Sequence, residues 1–427
     1  MKNDLLTTLS IGIDVSAKTN VVCALDFRGN IIFRSSAPNS LPGAENILKD
    51  ILTNLISNDF KSVTIALEST SYYSLHLTNF LSTSEDLLPF HPIVYNLNPK
   101  NIRNYKKSFT DMDKTDPNDA FVIADYVRVG RVKTKPWQGT HFLALQRLTR
   151  HRLHLVGSLS KEKTYALTNI YLKFNQLTLL NKNSRPFSNN FGATSMAVLS
   201  EFLSLDDIVY MPLEDLVDFI HLHGRNHFID PEHTAILLKK AAQDSYRLDK
   251  TLYDPINTAI TSSFCIIKTF EKEITIIDKA IKKLIKGFNT VEYQSLESIP
   301  GIGKVLAAGI LAEIGSISFF ESNDKLAKFA GITWRQNRSG EFHSEETKMT
   351  KTGNKYLRYY LIEAANLVRQ FAPEYTAYYN MKYNESSKHK HKRALALTSR
   401  KLIRLIFALL SNNQLYSDKY VGSNVIE

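Results

Sequence analysis

Short apolar runs separated by polar turns fill the first third of the chain. Three of them predict an antiparallel meander, at 9–15, 20–26 and 31–35. Apolar residues on one face predict a helix over 42–57. The pattern then predicts a strand at 62–67, a helix near 72–82, a strand near 92–97, a helix at 98–107 and a helix that begins at Asp116. The order β-β-β-α-β-α-β-α indicates a mixed sheet with helices on its faces, where chemistry collects at strand ends.

Two acidic residues follow buried strands of this predicted sheet. Asp14 ends the first apolar run, and Glu68 ends the fourth. If the first and fourth strands are neighbours, the two carboxylates lie side by side. Each acid also has an ordinary explanation, because Asp14 can simply terminate a strand and Glu68 can cap the helix that follows.

A second pair of acids lies in the segment Lys114-Thr115-Asp116-Pro117-Asn118-Asp119-Ala120. Asp116 and Asp119 are three residues apart at a predicted helix start, so their side chains share a face. Helix capping is the alternative, with Asp116 as N-cap, Pro117 at the first helical position and Asp119 in the first turn. Four converging carboxylates would repel one another, which implies bound cations. Mg²⁺ suits oxygen ligands best, with Mn²⁺ as a possible substitute, and two such ions can clamp a phosphodiester.

Composition is that of an ordinary globular protein, and the charge favours a polyanionic partner. The 427 residues exceed one compact core, so two or three domains are expected. No apolar span approaches the ~20 residues of a membrane helix. Two cysteines exclude a disulfide framework and a Cys-rich zinc site, and the cytosol is the expected compartment. The net charge is +11, and residues 100–163 hold 14 Lys or Arg against 6 Asp or Glu, which predicts a nucleic-acid contact or a solvated face.

The middle of the chain carries a heptad pattern. Isoleucine repeats every seven residues at 260, 267, 274 and 281, and apolar residues at 256, 270, 277 and 284 fill the alternate position. This pattern predicts a coiled coil, whose partner is either the helix predicted within 143–180 or another subunit.

The C-terminal third combines a glycine-rich turn with a polar loop. Pro300-Gly301-Ile302-Gly303-Lys304 precedes a helix of small residues, which predicts a helix-hairpin-helix-like grip on a phosphate backbone, with a simple tight turn as the alternative. The polar loop at 333–352 holds Ser339 beside Gly340. Basic residues that can neutralise a phosphate lie in or after this loop, namely Arg335, Arg338, Lys351 and Arg358.

These motifs resemble the DEDD transposases of the insertion sequence 110 family. The resemblance rests on Ile11-Gly12-Ile13-Asp14-Val15, on Glu68, on Thr115-Asp116-Pro117-Asn118-Asp119-Ala120, on the Pro-Gly-x-Gly helix, on Ser339-Gly340 and on Lys351-x-Gly353-Asn354-x-x-Leu357-Arg358. It implies a RuvC-like, RNase H-type α/β domain at 1–155 and a mostly α-helical C-terminal transposase domain at 291–410. The heptad pattern predicts a helical coiled-coil connector between them, at 156–290, and a tail is expected at 411–427. Pro117 departs from the family, in which many members have a basic residue there.

By this resemblance, Asp14, Glu68, Asp116 and Asp119 are catalytic ligands of Mg²⁺, and Ser339 is the nucleophile that forms a phosphoserine link with DNA. A free serine is a weak nucleophile, so we expect the metal-bearing acids to activate it in a composite site. Ser344 is the fallback, because the loop carries Glu341, Glu345 and Glu346 where relatives are rich in glycine and basic residues.

The implied function is that of a transposase or recombinase of an insertion sequence. Its expected partners are DNA, a structured guide RNA from the element and further copies of itself, as a dimer or tetramer, in the bacterial cytoplasm near the nucleoid. Nucleic-acid contacts are expected from Lys100, Arg103, Lys106, Lys107, Gly301, Gly303, Lys304 and the basic residues around the serine loop. Three alternatives stay open: a RuvC-like nuclease that hydrolyses junctions, a site-specific DNA invertase of the same family, and a non-catalytic nucleic-acid binder.

Overall fold

A computed structural model gives the structure of the chain. It describes residues 5–69, 72–110, 113, 115–132, 134, 136–137, 139–181, 184–225, 227–288, 291–334, 338–339, 342–343 and 348–417. Contacts within the chain separate it into two compact units, unit 1 at Met1–Ala144 and unit 2 at Leu145–Glu427. The finer predicted division at 155, 290 and 410 stays a prediction.

Unit 1 is built on a mixed five-stranded sheet, as the apolar pattern predicts. Its strands are β1 (Thr8–Val15), β2 (Thr19–Leu25), β3 (Ile31–Pro38), β4 (Ser62–Glu68) and β5 (Ile93–Leu97), in the spatial order β3-β2-β1-β4-β5. The first three strands pair antiparallel, and β4 and β5 pair parallel to β1 and β4 respectively. The helices are α1 (Leu41–Ser57), α2 (Ser74–Thr83), α3 (Pro99–Lys106) and α4 (Asp116–Arg128). Two 3₁₀ helices that the pattern did not predict lie at Leu5–Thr7 and Glu85–Phe90.

The central strand β1 is buried on both faces, and this explains its nearly continuous apolar sequence. Leu9, Ile11 and Ile13 have no exposed surface and join a core that includes Ile47 and Ile51 of α1. On the same strand, Asp14 is the single residue that is only half-buried. The RNase H-like reading of the sequence is consistent with this sheet and its helices.

The start of α4 differs slightly from the prediction. Thr115, not Asp116, is the N-cap, and its side chain makes no capping hydrogen bond. Asp116 is the first helical residue, and Pro117 follows it at a position where its missing N–H is not needed. The carboxylates of Asp116 and Asp119 therefore both belong to the first turn of the helix.

Unit 2 is almost wholly helical. Its helices are α5 (His141–Lys173), α6 (Asn175–Leu179), α7 (Ala193–Glu201), α8 (Leu205–Tyr210), α9 (Leu213–Gly224), α10 (Pro231–Gln243), α11 (Lys250–Phe288), α12 (Val291–Glu297), α13 (Lys304–Ile314), α14 (Asn323–Ala330), α15 (Lys355–Phe371), α16 (Pro373–Asn384) and α17 (Lys390–Asn412). A short antiparallel pair, β6 (Arg338–Ser339) and β7 (Phe342–His343), and a 3₁₀ helix at Ile317–Phe319 complete it. Within the described ranges, no helix is both long and apolar enough to cross a membrane.

Polar contacts join α5 to α11, the helix that carries the heptad stripe. Arg152 pairs with Asp278 at 2.5 Å, Lys163 with Glu271 at 2.7 Å, and Lys173 donates to Asn257 at 2.5 Å. The residue number on α11 falls as that on α5 rises, so the two helices run antiparallel. The coiled coil itself stays a prediction.

Candidate active site

The first two predicted acids lie next to each other on the sheet. Strands β1 and β4 are parallel neighbours, and their register pairs Ile13 with Leu67. Asp14 and Glu68 come directly after this pair, at the carboxyl ends of both strands. Both residues are half-buried. The first and fourth strands are therefore neighbours, which is the condition under which the sequence predicts that the two carboxylates lie side by side.

Helix α4 reaches β1 because Gly12 has no side chain. A Cβ atom at Gly12 would lie 2.2 Å from the backbone N of Ala124 and 2.3 Å from the backbone O of Ala120. Ala120 and Ala124 are fully buried and one helical turn apart, so the helix presents only methyl groups to the strand. This close approach lies two residues before Asp14 on β1, and on α4 it involves Ala120, which directly follows Asp119. In the sequence, Gly12 is one residue of the Ile11–Val15 motif, and Ala120 and Ala124 are spaced four apart on the predicted helix, but only the structure brings them together.

Charge in this cluster is unbalanced. Burial raises the pKa of Asp14 to about 6, and the neighbouring carboxylates of Asp119 and Asp116 contribute to this rise. The N–H of Val15 and the ammonium of Lys106 act in the opposite direction on the pKa. The carboxylates of Asp116 and Asp119 therefore lie close enough to act on Asp14, which capping alone does not require.

Lys106 supplies a positive charge to the acid cluster. Its Nζ forms an ion pair with Asp119, and both side chains are about one quarter exposed, at 24% and 25%. The predicted nucleic-acid contact Lys106 is thus bonded to a predicted metal ligand, whereas Lys100, Arg103 and Lys107 are exposed.

A hydrogen-bond network that sequence analysis missed holds α3 against α4. The Tyr105 hydroxyl donates to Asp125 Oδ2 at 2.6 Å, and Arg128 Nε donates to Asp125 Oδ1 at 2.8 Å. Burial, followed by the Asp125 carboxylate, raises the pKa of Tyr105 to about 12. Because Tyr105 directly precedes Lys106, this network fixes the residue that faces Asp119.

The donor chemistry of the cluster fits a hard divalent cation, although the acids do not form a closed cage. No group of three or more His, Cys, Asp or Glu side chains in the described part of the chain is close enough to hold a metal ion. The available donors are carboxylate oxygens, the ligands that Mg²⁺ prefers, and their mutual repulsion is the feature that a cation relieves.

The loop that carries Ser339 is described mainly at its base. The backbones of Arg338 and Ser339 pair with those of His343 and Phe342, and nothing further is described of these side chains. The predicted residues Arg335, Gly340, Glu341, Ser344, Glu345 and Glu346 lie outside the described residues, as does Lys114 in unit 1.

Several backbone contacts join the two ends of this loop. The N–H of Thr350 donates to Thr333 O at 2.8 Å, and a bridge pairs Trp334 with Met349. Arg358 Nη1 donates to the carbonyls of Ala330 at 3.1 Å and Lys351 at 3.0 Å. The guanidinium of Arg358, predicted to contact a phosphate, is therefore engaged with the loop ends.

A buried acid that sequence analysis did not select links this loop base to the rest of unit 2. The Glu313 side chain on α13 is 0% exposed and accepts two hydrogen bonds from Arg150 of α5. It also accepts from Asn354 Nδ2 at 2.6 Å, and Asn354 is the N-cap of α15, directly after the loop. The sequence signal was weak, since Glu313 is one acid within an apolar helix.

The Pro-Gly-x-Gly turn is a tight turn in which one glycine, Gly301, has a positive φ and a close backbone neighbour. Gly301 has a φ of +91°, and a Cβ there would lie 2.8 Å from the backbone N of Val368. Gly303 is the N-cap of α13 and makes no side-chain capping bond, and Lys304 is the first helical residue. A helix-hairpin-helix role for this turn stays a prediction.

Family comparisons agree with both ends of the chain. A model described as "Transposase", for DEDD transposases of the IS110 type, matches residues 11–170, and a second, described as "Transposase IS116/IS110/IS902 family", matches residues 293–380. The first match contains all four acids, and the second contains the serine loop. The fold and these matches define the class as a DEDD transposase. The chain belongs to the IS110 family of transposases.

Individual relatives are similar over a shorter part of the chain. The pilin gene-inverting proteins of Moraxella lacunata and Moraxella bovis are each 30% identical over 151 residues, which is 35% of this chain and 46% of theirs. The transposase for insertion sequence element IS1111A of Coxiella burnetii (strain RSA 493 / Nine Mile phase I) is 27% identical over 153 residues, 35% of this chain and 39% of that protein. The matches thus span less than half the length of these curated relatives.

Proposed function

We propose that the protein is a DNA recombinase that cleaves and rejoins strands through a covalent phosphoserine intermediate. The observation that carries the proposal is the electrostatic coupling of Asp14 with Asp116 and Asp119, next to Glu68 on the neighbouring strand. Acids with no role beyond strand ends and helix caps have no need to be close together, and their repulsion is a cost to folding.

Asp14, Glu68, Asp116 and Asp119 would hold Mg²⁺, or Mn²⁺ in its place. Bound there, the metal would stabilise the negative charge that develops at a reacting phosphate. Lys106 would orient Asp119, because its ammonium pairs with Oδ1 of that carboxylate. Tyr105 and Asp125 keep Lys106 in that position through the α3–α4 contact.

Ser339 would be the nucleophile of the strand-transfer step. Its Oγ attacks the phosphorus, loses its proton to a base, and the bond to the displaced strand end breaks, so that this end leaves as a hydroxyl. The phosphodiester energy is conserved in the serine link and a second DNA hydroxyl can reverse the step, which is why no ATP is needed. Arg358 and Asn354 support this role by holding the loop base.

The recombinase would act with nucleic-acid and protein partners. An element-encoded guide RNA, a dimer or tetramer, and a coiled coil formed by the heptad stripe belong to this proposal, as does phosphate binding by Gly301, Gly303 and Lys304. The exposed residues Lys100, Arg103 and Lys107 would extend the nucleic-acid contact in unit 1. A site-specific invertase is the second candidate, because two of the relatives are described as pilin gene-inverting proteins.

An adduct trap tests the proposal. The protein is incubated with DNA that spans the flanks of its own gene, copurified RNA and Mg²⁺, denatured in SDS, and any DNA-linked peptide is mapped by mass spectrometry. We expect an adduct on the peptide that holds Ser339, which disappears in Ser339→Ala and in Asp14→Asn. The variant Asp59→Asn is the matched control, since its carboxylate is 86% exposed and distant from the cluster in sequence.

Other outcomes separate the alternatives. An adduct that survives Ser339→Ala but not Ser344→Ala would move the nucleophile to Ser344. Cleaved DNA without any adduct would refute the serine role and leave a hydrolytic nuclease. Inverted pilin-type genes beside the coding sequence, in place of mobile-element ends, would select the invertase.

A further inference from the structure

Unit 2 contains a cavity of about 460 Å³ between the C-terminal half of α11 and the segment from α12 to the start of α13. Ile281, Ile285 and Val305 give it an apolar lining, and Tyr293 contributes an aromatic ring. Pockets for small organic ligands have volumes of roughly 300–1,000 Å³. The space is therefore sufficient for one nucleobase with its sugar.

Four lysines line the same cavity: Lys279, Lys282 and Lys286 on one face of α11, and Lys304 at the first position of α13. All four are exposed, and none makes a hydrogen bond or an ion pair with any other described residue. No described ion pair or hydrogen bond therefore offsets the mutual repulsion of their ammonium groups.

The acids of the cavity do not balance this charge. Two carboxylates line it, and that of Asp278 is already paired with Arg152. The other, Glu297, lies beside Tyr293, where burial followed by this carboxylate raises the pKa of the phenol to about 12. Tyr293 is consequently neutral over the whole physiological range. The cavity therefore combines an excess of positive charge with an apolar, aromatic interior, which favours a ligand that carries both negative charge and a flat apolar group.

The start of α13 adds a further anion-attracting feature to the cavity edge. Its N-cap Gly303 provides no side-chain acceptor for the first helical N–H groups, and no atom lies within 4 Å of a Cβ placed on Gly303. The positive end of an 11-residue helix thus faces open space beside Lys304.

We propose that this cavity binds one nucleotide of a single-stranded nucleic acid, with the base against the apolar lining and Tyr293 and the flanking phosphates on the lysines. Sites for single strands combine the same two elements, a cationic path for the backbone and an aromatic ring for a base. A second copy of this chain is a poorer occupant, because it brings the same unpaired lysines to the same place. This inference rests on the proposed recombination only for its biological purpose. It assigns a strand-binding place that is separate from the acids and from the serine loop.

The lysine contribution is tested by the salt dependence of strand binding. Fluorescence anisotropy measures the affinity for labelled single strands of about 20 nucleotides, as DNA and as RNA of the same sequence. For Lys282→Ala/Lys286→Ala we expect the slope of log K against log salt to fall by about 1.4, since each phosphate contact on a single strand contributes ~0.7. The matched control Lys272→Ala/Lys283→Ala removes two exposed α11 lysines that do not line the cavity. Equal slopes for the two double variants would overturn the proposal, and the tighter of the DNA and RNA arms identifies the strand.

The base contact is tested with Tyr293→Leu, which keeps the apolar lining and removes the ring. We expect about tenfold weaker binding of a single strand with an unchanged salt slope, and no change for a duplex of the same sequence, whose bases stay stacked. The site would be refuted if Tyr293→Leu bound the single strand as tightly as the wild type, or if it lost equal affinity for the duplex. It would also be refuted if free adenosine monophosphate displaced the strand with an affinity equal to that of the strand itself. Because binding alone is measured, normal strand binding without a serine adduct would refute the recombination and leave the cavity assignment standing.

Discussion

Arg150 and Glu313 form a bidentate ion pair, with Nε 2.7 Å from Oε1 and Nη2 2.8 Å from Oε2 of a carboxylate that is fully buried. The same carboxylate receives the side-chain amide of Asn354. One acid on α13 therefore joins α5 to the residue that begins α15, directly after the serine loop.

Removal of the arginine should be costly because the carboxylate is left buried without a counter-charge. For Arg150→Met we expect a loss of about 3–5 kcal/mol in the free energy of unfolding, measured by urea denaturation. Arg152→Met is the matched control two positions along α5, since its partner Asp278 is 36% exposed, and it should lose at most ~1 kcal/mol. Similar losses in the two variants would contradict a special role for the Glu313 pair.

The close approach of α4 to β1 gives a second prediction. Gly12→Ala places a methyl group where the backbone of Ala124 already lies, so we expect the free energy of unfolding to fall by roughly 1–3 kcal/mol. We also expect DNA cleavage to be lost, because the acids move apart. Gly157→Ala is the control, because this exposed position on α5 has open space, and it should gain ~0.5–1 kcal/mol. Both variants are compared with the wild type by thermal denaturation. An unchanged stability of Gly12→Ala would show that the packing of α4 does not depend on this contact.

The acid cluster should behave as a charge conflict that a cation relieves. Asp14 is ionised above pH 6, where its raised pKa opposes folding. At pH 7.5 without divalent metal we therefore expect the free energy of unfolding of Asp14→Asn to exceed that of the wild type by about 1 kcal/mol, after allowance for solvent screening. The variant should accordingly melt at a higher temperature. Addition of Mg²⁺ should raise the melting temperature of the wild type and not that of Asp14→Asn. A magnesium shift of equal size in both proteins would argue against these ligands.

Lys173 provides a dependence of stability on pH. Its ammonium is buried and donates to Leu199 O, Phe202 O and Asn257 Oδ1, and burial lowers its pKa to about 8 from 10.5. Between these two values the unfolded chain holds a proton that the folded chain has released, so folding becomes more favourable as pH rises.

This effect is measured as the difference in unfolding free energy between the wild type and Lys173→Met, which cancels the other titrating groups. We expect the difference to move in favour of the wild type from pH 8 to pH 10.5, by up to ~3 kcal/mol. A flat difference would mean that the three acceptors hold the proton at its ordinary pKa.

Periodicity alone was enough to identify the strands and α-helices of unit 1, because a buried strand and an amphipathic helix each have a local hydrophobic pattern. The two short 3₁₀ helices have no such pattern and were missed. The predicted strand at 62–67 became β4, Ser62–Glu68, and the predicted helix at 42–57 became α1, Leu41–Ser57. The family could also be recognised from short motifs, since Asp14, Glu68 and the Asp116–Asp119 pair occur along the chain in the same order as the acids of the family motif.

Contacts between distant segments could not be read in this way. That β4 lies beside β1, that Lys106 pairs with Asp119, and that Arg150 reaches Glu313 across 163 positions all depend on how the elements pack. The cavity lysines show the same limit, because Lys304 joins the α11 lysines only through the fold. Amino-acid order determined which elements form and which chemistry they carry, since those are properties of neighbours in sequence. Tertiary structure decided which charges meet, because a buried ion pair or a shared cavity is a property of neighbours in space.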